Sequence, residues 1–172
     1  MNNISNRYVL SILVENRAGV LRRVAGLFSR RGYNIESLTV AETEDQGISR
    51  ITAVVSGDLL VVDQIMKQMA KLVEVIRISF LGTQEAVYRE LVLIKVETTP
   101  QTRGEILEIV GIFRAKVVDV DASSIVVEVI GHGKKLEAAI EMLEPFGILE
   151  MVRTGLAAME RGNKQFKIDD KN

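Results

Sequence analysis

The chain has 172 residues, carries 22 Lys and Arg against 23 Asp and Glu, and is 47% hydrophobic. The apolar content is too high for a disordered chain, and the near-neutral charge argues against a protein that binds nucleic acid by neutralising phosphates. With no Cys and one His, the sequence excludes disulfides, zinc–thiolate sites, thiol nucleophiles and multi-histidine metal sites. The composition favours a binding protein over an enzyme.

The sequence shows no targeting signal. Residues 1–7 lack the basic start and the continuous apolar stretch of a signal peptide. No segment approaches the roughly 18 consecutive apolar residues of a membrane-spanning helix. We therefore expect a cytoplasmic protein.

The first half of the chain predicts the order strand, helix, strand, strand, helix, strand. Period-two and β-branched segments predict strands, and apolar residues at helical spacing predict helices. Gly32 ends the first helix, and Gly57-Asp58 begins the second. The predicted strands are 8–14, 33–41, 48–55 and 73–80. The helices bury Val20, Val24, Leu27 and Phe28, and Val62, Ile65, Met66 and Met69.

The second half repeats this order after a short boundary at Leu81-Gly82-Thr83-Gln84. Pro145 ends the last predicted helix. Residues 162–172 are charged and nearly free of apolar side chains, so we expect them to fray. The predicted strands are 88–96, 116–120, 124–130 and 148–152. The helical stripes are Ile106, Ile109, Val110 and Phe113, and Leu136, Ala139, Ile140 and Leu143.

The repeated order predicts an α+β fold of two tandem ferredoxin-like (βαββαβ) domains, each with two helices on one sheet face. We expect the domains to span residues 1–81 and 82–172. The first strand is apolar on both faces, with Val9 and Leu13 opposite Leu10. Such a strand is normally covered on both sides. We therefore expect another sheet or chain to cover the open face, which favours an oligomer.

Residues 15–21 join the first strand to the first helix. A helix N-terminus presents unpaired N–H groups and the positive end of the helix dipole, which suit carboxylates and phosphates. Gly19 lets a ligand approach the backbone, and the Asn16 side chain offers both a donor and an acceptor. The same residues also suit a tight turn capped by Asn16, and the residue types alone leave both interpretations open.

Other candidate sites are weaker. The turn Gly131-His132-Gly133 lacks the spacing of a Walker loop or a dinucleotide-binding motif. Arginines around the first helix suggest nucleic acid, but the predicted central strands lack the stacking aromatic residues of an RNA-binding sheet. These arginines are Arg22, Arg23, Arg30 and Arg31. We predict no catalytic and no metal-binding residues.

Two segments of the first half resemble the ACT domain, a small-molecule-sensing module. They are Asn16-Arg17-Ala18-Gly19-Val20-Leu21 and Gly32-Tyr33-Asn34-Ile35-Glu36-Ser37-Leu38. The longer stretch Leu27-Phe28-Ser29-Arg30-Arg31-Gly32-Tyr33-Asn34-Ile35-Glu36-Ser37-Leu38-Thr39-Val40 resembles the hallmark of a narrower family. More narrowly, the chain resembles the small regulatory subunit of acetohydroxyacid (acetolactate) synthase. That resemblance continues through residues 113–120 and 153–155, so it covers nearly the whole chain.

The resemblance implies an allosteric site for a branched-chain amino acid, usually valine, between the ACT domains of two chains. The loop of one chain would bind the amino-acid backbone, and the start of the partner's second strand would complete the pocket. The pair Arg17-Ala18 departs from the acidic or hydroxyl residues that many relatives carry there, and the added cation could alter the affinity for the carboxylate. The implied effector-binding residues are Asn16, Gly19, Val20, Leu21, Asn34, Ile35, Thr39, Ala41 and Gln64.

The resemblance also implies a non-catalytic subunit that dimerises through its ACT domains. Its C-terminal domain, with part of the ACT domain, would contact the large catalytic subunit, raise its activity and make it inhibitable. That partner would carry thiamine diphosphate, Mg²⁺ and FAD and condense two pyruvates, or pyruvate and 2-oxobutyrate. No cofactor is expected on this chain. The alternative is a free-standing amino-acid sensor that controls transcription or another enzyme. A small enzyme is disfavoured because the sequence has no catalytic constellation.

Overall fold

The computed structural model describes residues 6–82 and 85–166, which form two compact units. The first unit comprises the described parts of Met1–Val87 and Leu156–Asn172, and the second is Tyr88–Gly155. The chain therefore leaves the first unit after Val87 and returns to it at Leu156.

The first unit contains the predicted βαββαβ order. Its elements are β1 (Asn6–Glu15), α1 (Val20–Arg30), β2 (Ile35–Glu42), β3 (Ile48–Gly57), α2 (Leu59–Met69) and β4 (Val75–Leu81). The strands pair antiparallel in the order β2-β3-β1-β4. The connections β1–α1–β2 and β3–α2–β4 each join two parallel strands across one intervening strand. Because such crossovers are right-handed, the two helices lie on the same sheet face.

Alternation along β1 decides which side chains enter the main core. Leu10 and Ile12 are fully buried and belong to one cluster with Val24 of α1 and Ile65 of α2. Successive strand side chains point to opposite faces, so Ser11 lies on the face away from the helices. The predicted stripes of both helices thus pack on one side of the sheet.

The second unit repeats the architecture. Its elements are β5 (Ala86–Glu97), whose first two residues belong to the first unit, α3 (Arg103–Ile112), β6 (Lys116–Val120), β7 (Ser124–Gly131), α4 (Gly133–Leu143) and β8 (Ile148–Arg153). The strand order is β6-β7-β5-β8, which matches that of the first unit. A 3-10 turn at Glu144–Phe146 contains Pro145 and ends α4. The predicted α+β fold of two ferredoxin-like units is confirmed.

The C-terminal segment 156–166 belongs to the first unit, although we predicted a boundary at residues 81/82 and placed all later residues in the second domain. Residues Ala157–Glu160 form β9, a short strand absent from the prediction, which pairs with β5. The Arg161 N–H donates to the Glu85 carbonyl at 2.8 Å. The Leu156 N–H donates to Ser37 Oγ at 3.3 Å. We call residues 156–166 the C-terminal strap.

Phe166 anchors the strap on the sheet face away from the helices. Its side chain is 7% exposed and packs against Leu13 and Ile48. The Arg50 and Arg77 guanidinium carbons lie 5.7 and 5.2 Å from the ring centroid. The expectation that residues 162–166 fray was wrong, because Phe166 holds this otherwise polar segment in a buried contact. Residues 167–172, for which fraying was also predicted, lie outside the described residues.

The strap also changes the interpretation of the open sheet face. Leu13 is buried by Phe166 of the same chain, so the expectation that another sheet or chain must cover Leu13 was wrong. Between the two ends of the strap, a row of hydroxyl residues crosses the sheet: Thr39, Thr52, Ser11 and Ser79. Ser11 is 1% exposed, and its Oγ has no hydrogen-bond partner within residues 6–82 and 85–166.

Candidate functional site

The loop between β1 and α1 ends in an uncapped helix N-terminus. Gly19 occupies the N-cap position with φ 86°, a left-handed conformation, and no side chain caps the helix. The first helical hydrogen bond runs from the Arg23 N–H to the Gly19 carbonyl at 3.1 Å. The amide groups of Leu21 and Arg22 come before that bond, so they have no helical acceptor. These N–H groups lie at the N-terminus of α1, which is the positive end of the helix dipole.

Asn16 ties this loop to the turn between β2 and β3. Its side-chain amide donates to Glu42 Oε1 at 2.7 Å and to the Gln46 carbonyl at 2.9 Å. Its backbone N–H donates to the Gly47 carbonyl at 2.7 Å. One of the two interpretations of this loop required Asn16 to cap α1. The structure shows that Asn16 does not cap this helix. Both side-chain hydrogens are used, and only the Oδ1 acceptor is left for a ligand.

Charged side chains of both signs surround the loop. Arg17 pairs with Glu15, and this hydrogen bond raises the pKa of the Arg17 guanidinium. Arg23 Nη2 lies 2.7 Å from Glu74 Oε1, while its Nη1 lies 3.9 Å from the position that a Cβ on Gly19 would take. The Arg23 side chain thus approaches Gly19, whereas Arg17 pairs with Glu15.

Within one chain, the predicted residues occupy separate places. Asn16, Gly19, Val20 and Leu21 lie together at the β1–α1 loop. Asn34 precedes β2, after the opposite end of α1, and Ile35 begins that strand and packs on the core. These two groups do not meet in a single chain.

The exposures at the loop also differ. Val20 is 3% exposed and belongs to the core, so it supports the loop from below. Leu21 is 44% exposed and presents its apolar side chain at the surface. Leu21 rather than Val20 is therefore available to contact a ligand.

Thr39, Ala41 and Gln64 lie elsewhere again. Thr39 pairs with Thr52, and Ala41 with Arg50, which places both on the sheet face away from the helices. Gln64 is on α2, where its Oε1 accepts a 3.1 Å hydrogen bond from the Tyr33 hydroxyl. A single chain therefore does not gather the predicted residues into one pocket.

Two residues at the loop, Glu42 and Arg23, are not among the effector-binding residues that the sequence predicts. Arg23 lies four residues after Gly19, a spacing that places neighbours on one helix face and was available in the sequence. Glu42 lies 26 residues from Asn16, and no spacing rule connects them.

The described residues show no metal-ligand cluster and no membrane helix. No three His, Asp or Glu side chains within 6–82 and 85–166 are placed to hold a metal ion. In the same part of the chain, no helix is both long and apolar enough to cross a bilayer. A cleft beside Phe166 is lined by Leu13, Ile48 and Arg50, which are not among the predicted effector-binding residues.

Comparisons with known proteins cover both units. Residues 10–77 match the family described as the AHAS small subunit-like ACT domain, and residues 89–162 match the family described as the small subunit of acetolactate synthase. The chain is similar to a probable acetolactate synthase small subunit of Archaeoglobus fulgidus, at 52% identity over 92% of this chain and 99% of the relative. It is 49% identical to the acetolactate synthase small subunit of Bacillus subtilis, over 91% and 92% of the two chains.

The similarity extends to three dimensions. The crystal structure of the acetolactate synthase small subunit from Thermotoga maritima matches with a TM-score of 0.86 and 42% identity, covering 92% of this chain and 99% of that chain. Sequence and structure agree across both ferredoxin-like units. On these matches, the chain belongs to the acetolactate synthase small-subunit family, and its first unit is an ACT domain.

Proposed function

We propose that this protein is the regulatory subunit of acetolactate synthase. It binds the large catalytic subunit, raises the activity of that subunit and makes it inhibitable by valine or another branched-chain amino acid. The chemistry belongs to the catalytic subunit, which would carry thiamine diphosphate, Mg²⁺ and FAD. Membership of the small-subunit family is the observation that carries this proposal. The cytoplasm stays the predicted location.

We place the effector between the ACT domains of two chains. The β1–α1 loop and Asn34 lie at opposite ends of α1, an 11-residue helix. At 1.5 Å per residue, this separates them by about 16 Å, which is longer than a single amino acid. The strand register supports this separation. Ile35 pairs with Val55, which pairs with Tyr8, so Ile35 lies at the opposite end of β1 from Glu15. One valine can contact both groups only if two chains contribute them.

The loop has the chemistry to hold a small aliphatic amino acid. The free amides at the start of α1 suit a carboxylate, and the exposed Leu21 side chain offers apolar contact. Burying the valine side chain would contribute about 1.5–3 kcal/mol. Charge-assisted hydrogen bonds at the two ends of the amino acid must supply most of the remaining affinity.

We propose that the second unit, with part of the ACT domain, contacts the catalytic subunit. The second unit exposes several large apolar side chains, a feature typical of protein-binding surfaces. They include Ile112 at 72% exposure, together with Leu149, Met151 and Val152 of β8. Valine inhibits only if it binds one arrangement of the assembly more tightly than another. A typical coupling of 1–3 kcal/mol would give about 5–150-fold inhibition.

Mixing the purified chain with its catalytic subunit tests the proposal. The chain alone should form no acetolactate from pyruvate, the mixture should form it faster than the catalytic subunit alone, and valine should remove that gain. Absence of stimulation would refute the regulatory-subunit assignment. If valine then still binds the isolated chain, the free-standing sensor is the better account.

A further inference from the structure

We propose that the C-terminal strap and the β1–α1 loop are coupled through residues 43–47, which we call the β2–β3 turn. Undocking Phe166 would loosen the loop, and fixing the loop would favour the docked strap. The coupling lies within the first unit, and its regulatory consequence rests on the proposed function. It would give a role in regulation to Phe166, which lies beyond residue 162, where the family match ends.

Phe166 and Asn16 contact adjacent residues of the chain. Phe166 packs against Leu13 near the end of β1 and against Ile48, the first residue of β3. The β1–β3 pairing ends at Ile48. One position before it, the Gly47 carbonyl accepts a 2.7 Å hydrogen bond from the Asn16 N–H. The buried contact of the strap therefore lies directly beside the hydrogen bond that ties the β1–α1 loop to the turn.

The β2–β3 turn is held by its own hydrogen bonds. The Thr43 N–H donates to the Ile48 carbonyl, and the Ile48 N–H donates to the Asp45 carbonyl, each at 3.0 Å. The Gly47 N–H donates to Asp45 Oδ1 at 2.8 Å, and the Asp45 N–H donates to Thr43 Oγ1 at 3.2 Å. Connected hydrogen-bond networks carry coupling between the groups at their ends. A displacement at Ile48 is therefore passed to Gly47 and its neighbours.

Asn16 and the strap use different residues of this turn. The Asn16 side-chain amide donates to the Gln46 carbonyl at 2.9 Å. The part of the turn that lines the cleft beside Phe166 is Thr43, Glu44 and Asp45. Removing the Phe166 ring takes away the apolar support of Ile48, so the turn can shift and weaken its hydrogen bonds to Asn16.

The docked and the undocked strap are the two states that this coupling requires. A ligand that fixes the β1–α1 loop also fixes the turn, and it therefore favours the docked state. By thermodynamic linkage, docking raises the affinity for that ligand by the same factor. The strap is covalently continuous with the second unit at Gly155. A change in docking at the loop is thus passed to a segment that enters the second unit.

Hydrogen exchange of the full chain tests the coupling without any ligand. Phe166→Ala should raise the exchange rate of the loop and turn amides at least about fivefold, the lower end of typical couplings between sites. Met159→Ala, exposed in the same strap, should change these rates less than about twofold, because independent sites do not couple. The amides to follow are those of Asn16, Gly47 and Ile48, each of which donates a hydrogen bond in this region.

Two controls separate a local change from a general loss of stability. The Val61 N–H donates to Asp58 Oδ1 at the start of α2, and its exchange rate should be the same in Phe166→Ala and the wild-type chain. Phe166→Leu keeps an apolar side chain on Ile48 and should give a smaller effect in the same direction. It replaces Phe166→Ala if circular dichroism shows that the alanine variant is unfolded.

Titration calorimetry with valine tests the regulatory consequence. Phe166→Ala should weaken valine binding at least about fivefold, and saturating valine should slow exchange at the β9 amides of the wild-type chain. Met159→Ala should bind valine as the wild-type chain does. Unchanged loop and turn amides in Phe166→Ala, or equal valine binding by Phe166→Ala and the wild-type chain, would overturn the coupling. If the wild-type chain binds no branched-chain amino acid, the proposed effector site is wrong, and the exchange rates alone decide the coupling.

Discussion

The Arg50 guanidinium donates a 3.1 Å hydrogen bond to the Phe166 carbonyl and lies over the ring of the same residue, although 116 positions separate the two. This contact holds the end of the C-terminal strap on the first unit. Arg77 covers the same ring and Leu13 lies beneath it. The Phe166 side chain thus fixes the end of the strap to side chains of the ACT domain.

Phe166→Ala should therefore loosen the strap and destabilise the first unit. Removing a buried aromatic side chain typically lowers the free energy of unfolding by about 3–5 kcal/mol. We expect the lower end because Phe166 belongs to a small cluster with Leu13 and Ile48, apart from the main core. Urea unfolding measures the loss of unfolding free energy. Hydrogen exchange should be faster at the amides of β9 in this variant. Met159→Ala, in the same strap but exposed, is the control and should change neither. Unchanged exchange in Phe166→Ala would mean that β9 is held by strand pairing alone.

Ser11→Ala should stabilise the protein. The Ser11 hydroxyl is buried without a partner in the described residues, and an unmet buried hydroxyl costs about 1–3 kcal/mol. We expect the free energy of unfolding to rise by about 1 kcal/mol, measured in urea. Ser79→Ala, in the same row, removes a hydroxyl that donates a hydrogen bond to the Phe80 carbonyl. This variant should therefore not raise the free energy of unfolding. If Ser11→Ala instead lowered the free energy of unfolding, the Ser11 hydroxyl would have a water or another hydrogen-bond partner.

Two glycines of the first helical segment should respond to alanine in opposite directions. Gly19 has φ 86°, where a Cβ costs roughly 1–2 kcal/mol, so Gly19→Ala should be destabilising. Gly26 is inside α1 with open space around its Cα, so Gly26→Ala should raise the free energy of unfolding by about 0.5–1 kcal/mol. Thermal melting of both variants measures the difference. A stable Gly19→Ala variant would contradict the strained loop geometry.

Complementation tests whether the proposed effector site depends on two chains. Gly19→Asp places a carboxylate at the start of α1, and Asn34→Asp places one at the start of β2, so each variant alone should lose valine inhibition and keep stimulation. In a mixed dimer, one pocket would carry both substitutions and the other would carry neither. Co-refolded Gly19→Asp and Asn34→Asp chains should therefore regain up to half of the inhibitable activity.

The comparison for this test is a mixture of Gly19→Asp with itself, which should stay uninhibited. If mixing restores nothing, the loop and the start of β2 do not share a ligand across two chains. If either variant also loses stimulation, its position serves folding or assembly rather than effector binding.

The local periodicity of the sequence predicted most of the fold. Strands and helices of both units bury side chains at regular spacing, and Leu10, Ile12 and Val24 lie in the core where that spacing placed them. Such patterns are local, because each element must present one apolar face whatever its neighbours are. The family motif around Gly19 is equally local, since a left-handed residue before a helix is a property of the loop itself.

The sequence by itself therefore determined the two ferredoxin-like units, the family and the loop on which a ligand site would be built. Only the tertiary structure decided that the strap returns to the first unit, that Glu42 meets Asn16, and that Arg23 lies beside Gly19. The strap is short, and glycine, polar and charged residues separate Phe166 from the apolar residues 156–159, so Phe166 carries no periodic signal. Its partners and those of Asn16 are distant along the chain, and contacts of that kind exist only after the sheet has set its register.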